Sequence, residues 1–142
     1  MIKSVALGEQ LVITTRNKVG IMADIASTLA NNGVNIDAAM GYEEDKTGKV
    51  MLVTSANLAI VSDLKEMKYK SIKETEVLIV ELENKPGALK VVTTELKKDG
   101  ININQIYVTA SISPDCGSKM VIRTSNDEEA MALLSKYISS TD

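Results

Sequence analysis

At 142 residues the chain has about the length of one domain, and its 44% apolar and 25% charged residues are those of an ordinary soluble globular protein. The absence of histidine removes the commonest general base and the imidazole metal sites, and a single cysteine excludes an intrachain disulfide and a thiolate zinc site. The net charge of −3 is mild, with nine basic against nine acidic residues over 1–75 and seven against ten over 76–142, so neither half offers a basic surface for nucleic-acid phosphates.

The N-terminal MIKSVALGEQ has one lysine and no long apolar core. It does not read as a signal peptide, and no run of eighteen apolar residues marks a membrane span, so a cytoplasmic location is expected. Residues 2–6 are a candidate extra strand. Residues 10–15 are short, apolar and β-branched, hence a strand. A turn at Gly20 leads into Ile21, Met22, Ile25 and Leu29 at helical spacing, and Gly33 stops that helix as its C′ residue. Strands are expected at 34–42 and 49–54, joined by the solvated hairpin tip Glu43-Glu44-Asp45-Lys46-Thr47-Gly48. A helix over about 58–67 and a short strand at 69–73 complete the first half.

The second half repeats this order. A strand at 77–82 meets the turn Pro86-Gly87, with Pro86 suited to the first turn of a helix that carries Leu89, Val92 and Leu96 and stops at Gly100. Strands follow at 101–111 and 119–124, then a helix over 127–138 opened by the capping pattern Ser125-Asn126-Asp127-Glu128. At a shift of 67, Asn17/Asn84, Lys18/Lys85, Gly20/Gly87, Leu29/Leu96, Gly33/Gly100, Asn35/Asn102 and Ile36/Ile103 are identical. The register then slips by three within Ile112-Ser113-Pro114-Asp115-Cys116-Gly117, where an exposed loop tolerates an insertion. Polar and glycine positions matching in order mark an internal repeat.

Each half reads β-α-β-β-α and lacks one strand of a split βαβ unit. In the first half Lys70-Ser71-Ile72 supplies it. The second ends in Ser139-Ser140-Thr141-Asp142, too short and polar, yet Lys3-Ser4-Val5 matches Lys70-Ser71-Ile72 at the same shift. Residues 2–6 therefore either pair with 11–15 as a hairpin or complete the second sheet in a permuted arrangement.

Glu81-Leu82-Glu83-Asn84-Lys85-Pro86-Gly87-Ala88-Leu89 with Leu96, Gly100, Ile101, Asn102 and Ile103 resembles the signature of the ACT domain, a small ligand-sensing module of amino-acid metabolism. Arg16-Asn17-Lys18-Val19-Gly20-Ile21-Met22-Ala23 with Gly33-Val34-Asn35-Ile36 is similar, but has Val19 where proline is usual. The resemblance implies an α+β fold of two ferredoxin-like βαββαβ modules, 1–75 (with the extra strand 2–6) and 76–142. Each would have a four-stranded antiparallel sheet with two helices on one face. It is closest to stand-alone tandem ACT proteins. It further implies a regulatory, non-catalytic homodimer that binds an amino acid at the interface of its modules. The alternative is an interaction subunit docked on a separate enzyme of amino-acid metabolism. No cofactor, metal, nucleic acid or membrane partner is expected.

The best candidate site is the strand-to-helix turn, where unpaired N–H groups and a positive dipole end favour a carboxylate. The candidate residues are Asn17, Lys18, Gly20, Ile21 and Asn35 in the first copy, and Asn84, Lys85, Pro86, Gly87, Ala88 and Asn102 in the second. Gly20 and Gly87 admit close approach to the backbone. Asn35 and Asn102 are expected to close over the same volume, and the second copy, with Pro86, is expected to be the more intact. Turn and Asx-turn roles compete for the four asparagines. Cys116, with no activating histidine, reads as an inert thiol; Glu81 and Glu83 read as a wet sheet face; Met22, Met40, Met51, Met67, Met120 and Met131 read mostly as core.

Overall fold

A computed structural model describes residues 1–110, 112–113 and 115–138. The far end of the strand expected at 101–111, Pro114 and the tail 139–142 lie outside the described residues. The fold is α+β, with ten elements in the order β1 (Ile2–Arg16), α1 (Ile21–Asn31), β2 (Ile36–Glu44), β3 (Thr47–Thr54), α2 (Asn57–Glu66), β4 (Ser71–Leu82), α3 (Ala88–Lys98), β5 (Ile103–Ala110), β6 (Ser118–Thr124) and α4 (Asp127–Ser135).

The chain divides into two compact units, Glu9–Thr75 and a second made of Met1–Gly8 with Glu76–Asp142. The sequence reading placed 1–75 in one module; the structure groups residues 1–8 with 76–142 instead. The reason lies in β1. Residues 2–16 form one unbroken strand, so 2–6 cannot fold back on 11–15 as a hairpin. Gly8 is extended rather than turned, and a Cβ there would stand 2.7 Å from Ile79 Cδ1, so its missing side chain makes room for β4. β4 is likewise one strand of twelve residues where two short ones were expected. Each long strand thus serves one unit with its first half and the other with its second.

In the unit Glu9–Thr75 the strand order is β2-β3-β1-β4. β1 and β3 run antiparallel with Leu11 opposite Leu52 and Ile13 opposite Val50, and β2 pairs antiparallel with β3. The turn between β2 and β3 holds two residues, Asp45 and Lys46, at φ 48° and 64°. A two-residue hairpin needs positive φ at both positions to match strand twist. The core packs Leu11, Ile13, Val50 and Leu52 of the sheet against Ile21, Ile25 and Leu29 of α1 and Ile60 and Leu64 of α2.

The second unit has the order β5-β6-β4-β1, with Leu78 opposite Ile122 and Ile106 opposite Ile122 across the antiparallel ladders. Its core joins Ile2, Leu78, Val80, Leu82, Met120 and Ile122 to Ala88, Val92 and Leu96 of α3 and Leu134 of α4. Ile2 is fully buried, and Met1 C=O accepts from Glu83 N–H at 2.8 Å.

Both first helices stop in the same way. Gly33 and Gly100 sit at φ 67° and 68°. Their N–H groups donate to Ala30 and Lys97, while Val34 and Ile101 donate to Leu29 and Leu96. This paired 5→2 and 6→1 bonding is the Schellman stop, with an apolar contact across it. The second helices differ. Asn126 caps α4 by accepting from Glu129 N–H, whereas the equivalent α2 position, Ala56, has no side-chain cap. Three core assignments change: Met22 and Leu89 are exposed, and Ala88 takes the buried position at the start of α3. Pro86 lies before the Gly87 cap rather than in the helix.

Candidate functional site

β1 delivers the chain to Asn17, whose N–H donates to Lys46 C=O at 2.8 Å across the base of the β2–β3 hairpin. Asn17, Lys18 and Val19 then run exposed to Gly20, the α1 cap, at φ 92° and ψ 1°. This left-handed conformation suits glycine and strains any L side chain. No side chain caps α1, and its first internal bond is Asp24 N–H to Gly20 C=O at 2.9 Å. The N–H groups of Ile21, Met22 and Ala23 therefore have no protein acceptor among the described residues. They sit at the positive end of the helix dipole.

A groove of about 380 Å³ runs beside this turn, lined by Asn17, Ile21, Met22, Met40, Tyr42 and Lys49 among others. Two glycines line it. A Cβ on Gly48 would stand 3.5 Å from Asn17 Oδ1, and one on Gly41 would stand 3.9 Å from Met22 Sδ. The groove thus combines three unsatisfied donors, an asparagine amide, a lysine and a flexible thioether wall. That set can hold a carboxylate at one end and an apolar group at the other.

The second turn has the same backbone but a different setting. Gly87 caps α3 at φ 92° and ψ −11°, again with no side-chain cap. Ala88 N–H, however, donates to Lys85 C=O at 3.3 Å, and Val91 N–H to Gly87 C=O at 3.1 Å. A Cβ on Gly87 would stand 3.5 Å from Met1 Cε, so the first residue of the chain lies against this turn. Lys85 Nζ lies 2.6 Å from Glu83 Oε2, and this contact holds the Glu83 carboxyl below the usual carboxylate range. Pro86 and Asn84 are exposed beside it. The groove of about 380 Å³ lies at the first of the two turns, where the sequence favoured the second.

Asn35 and Asn102 are not brought to these turns. Each follows the helix at its far end, eleven residues on, roughly 16 Å away at about 1.5 Å per residue. Asn35 N–H donates to Ser55 Oγ and its amide to Asp37; Asn102 N–H donates to Ser125 Oγ and its amide to Asn104. They bind the second strand to the next helix. Helix length was the signal that could have separated them. Tyr42 and Met40 were missed as lining residues, because strand alternation gives only the face and not what lies across it. Elsewhere, burial pushes the Tyr107 phenol on β5 up to about 12. No cluster of metal-ligating side chains occurs among the described residues, and no helix among them is long and apolar enough to cross a membrane.

Residues 10–67, which fall inside the unit Glu9–Thr75, match the family profile of the ACT domain. No curated protein matches the sequence. Among solved structures, protein BT0572 from Bacteroides thetaiotaomicron is 26% identical, with a TM-score of 0.83 over 94% of this chain and 90% of that one. The ligand-free regulatory subunit of aspartate kinase from Thermus thermophilus is 16% identical, with a TM-score of 0.66 over 97% and 99%. A structure of aspartokinase alpha and beta subunits is 20% identical, with a TM-score of 0.60 over 96% and 97%. These last two likenesses show the fold.

Proposed function

We propose that this chain is a regulatory sensor whose ACT domain binds a free amino acid, or a similar zwitterion, at the start of α1. The observation that carries this reading is the uncapped first turn, with three N–H groups free of protein acceptors beside a groove of about 380 Å³. The α-carboxylate takes those donors. Asn17, which can both donate and accept, orients the ammonium group. Met22, Met40 and Tyr42 receive the side chain. Binding shifts the population toward the state in which the turn is ordered around the ligand. The reading needs no proton transfer or covalent step, in keeping with a regulatory rather than catalytic role.

The repeat supports reading residues 1–8 with 76–138 as a second, permuted ACT-like module of the βαββαβ type. The exposed Ile106 and Val108 on the edge strand β5 favour a protein partner on that unit, either a second copy or a separate enzyme. The fold of the regulatory subunit of aspartate kinase is a precedent for the latter.

A thermal-shift screen of the twenty amino acids, followed by titration calorimetry, tests the sensor reading. A ligand of the native state raises the melting temperature. At least one amino acid is expected to do so for the parent chain and not for Gly20→Asp. The reading fails if none does, or if Gly20→Asp binds the hit as well as the parent.

A further inference from the structure

Within the unit Glu9–Thr75, Arg16, Lys18, Lys46, Lys68 and Lys70 line one concavity of about 820 Å³, and Asp45 is the sole acid in its lining. The cleft therefore gathers five of the chain's sixteen lysines and arginines but one of its nineteen acids, in a protein of net charge −3. None of the five cations takes part in an ion pair or side-chain hydrogen bond among the described residues; the two ion pairs, Lys85–Glu83 and Lys98–Glu95, lie elsewhere. Such a cluster costs self-repulsion that the single acid of its lining offsets only in part. The negative end of the α2 dipole accommodates Lys68 and Lys70, which follow that helix, but not Arg16, Lys18 or Lys46.

Two chain reversals meet at this cleft, the two-residue β2–β3 turn and the end of α2. Asp45, Lys46 and Lys68, at φ 48°, 64° and 58°, are the non-glycine residues of positive φ among those described, and all three line this cleft.

We propose that the cleft binds a small molecule bearing two or more phosphate groups, at a site that shares Asn17 alone with the lining of the α1 groove. The volume is that of a small-ligand site. The charges surround one concavity instead of forming a stripe, and the net-acidic chain repels a long polyanion, so a compact ligand fits better than nucleic acid. Five cations against one acid call for more than one negative charge. The Arg16 guanidinium supplies the planar fork that matches phosphate oxygens. Met67 and Tyr69, both half-buried in the lining, give an organic group an apolar wall.

Titration calorimetry of the full chain in about 150 mM salt, where exposed charges are screened beyond ~8 Å, tests this with pyrophosphate, ADP and citrate. Pyrophosphate and ADP are expected to bind, and citrate at least about tenfold more weakly, because a terminal phosphate offers three acceptor oxygens to the converging cations where a carboxylate offers two. Lys46→Glu with Lys68→Glu is expected to weaken both phosphate ligands by more than about tenfold, the loss of charge-assisted contacts. Arg16→Gln with Lys70→Gln, which leaves the positive-φ residues alone, is expected to do the same. Lys90→Glu with Lys97→Glu, on α3, should change nothing. Absence of binding by pyrophosphate and ADP overturns the proposal. So does equal binding of citrate, or unchanged affinity in either cleft variant when circular dichroism shows it folded.

Discussion

The turns at residues 17–21 and 84–88 begin from nearly the same sequence and adopt the same backbone, with Gly20 and Gly87 both at φ 92°. They nevertheless end in different surroundings. At the first, a groove lined in part by Gly41 and Gly48 runs beside the helix, and three helix N–H groups lack an acceptor among the described residues. At the second, Met1 lies against Gly87 and Ala88 N–H is already engaged. Conformation at such a turn is thus set locally by glycine, whereas its openness is set by residues remote in sequence. Pro86, the feature that made the second turn look more complete, adds rigidity without adding space.

Four experiments break or sharpen this contrast. The largest effect should come from deleting residues 1–7. The second unit would lose buried Ile2, half-buried Val5 and the bond from Glu83 to Met1. We expect a loss of about 3–5 kcal/mol by denaturant titration, from ~1.5–3 kcal/mol per buried aliphatic side chain plus ladder hydrogen bonds. Native-state hydrogen exchange should place the loss in residues 76–138 and spare the core around Leu11 and Ile25. Equal loosening of both units would contradict the grouping of residues 1–8 with the second.

Next in size is the ligand contrast. Gly20→Asp adds bulk and negative charge at the open turn, and should weaken amino-acid binding by more than about tenfold, ~1.4 kcal/mol or more. Gly87→Asp should leave that affinity within about threefold, under ~0.7 kcal/mol. Calorimetry with the amino acid found by the thermal screen decides it. The reverse order would move the site to the second copy.

The caps of α2 and α4 give a smaller contrast. Ala56 and Asn126 share an extended backbone, but only Asn126 accepts a helix N–H. Asn126→Ala should cost about 1 kcal/mol, and Ala56→Asn should gain ~0.5–1 kcal/mol, as N-cap exchanges do. Melting curves of both variants check the two signs.

The smallest effect is in pH dependence. The position equivalent to Tyr107 in the first copy is Met40, so this phenol belongs to the second unit alone. Burial raises it to about 12, whereas an unfolded tyrosine titrates near ~10. Its contribution is therefore complete below about pH 10 and is lost as pH rises toward 12, because the unfolded chain releases its proton first. Tyr107→Phe should flatten the alkaline fall in stability without changing the neutral plateau.

Sequence alone determined the elements of local origin. The helix stops at Gly33 and Gly100 follow from chemistry within a few residues and appear where the pattern put them, while the tip expected over Glu43–Gly48 closes as a two-residue turn at Asp45 and Lys46, and the cap expected within Ser125–Glu128 falls on Asn126. The approximate strand and helix order came the same way, since period 2 and period 3.6 are local properties. What only the tertiary structure decided is which distant segments share a ladder or a cavity. Lys3-Ser4-Val5 carries the same signal whichever sheet it completes; the unbroken run of β1 and the space left by Gly8 choose the second unit. Arg16, Lys46 and Lys68 sit in three separate segments of a chain with balanced charge, so their convergence leaves no trace in composition. The physical reason is common to both cases. Local preferences depend on neighbours along the chain, whereas pairing and burial are settled by contacts whose partners become known only when the whole chain has closed on itself.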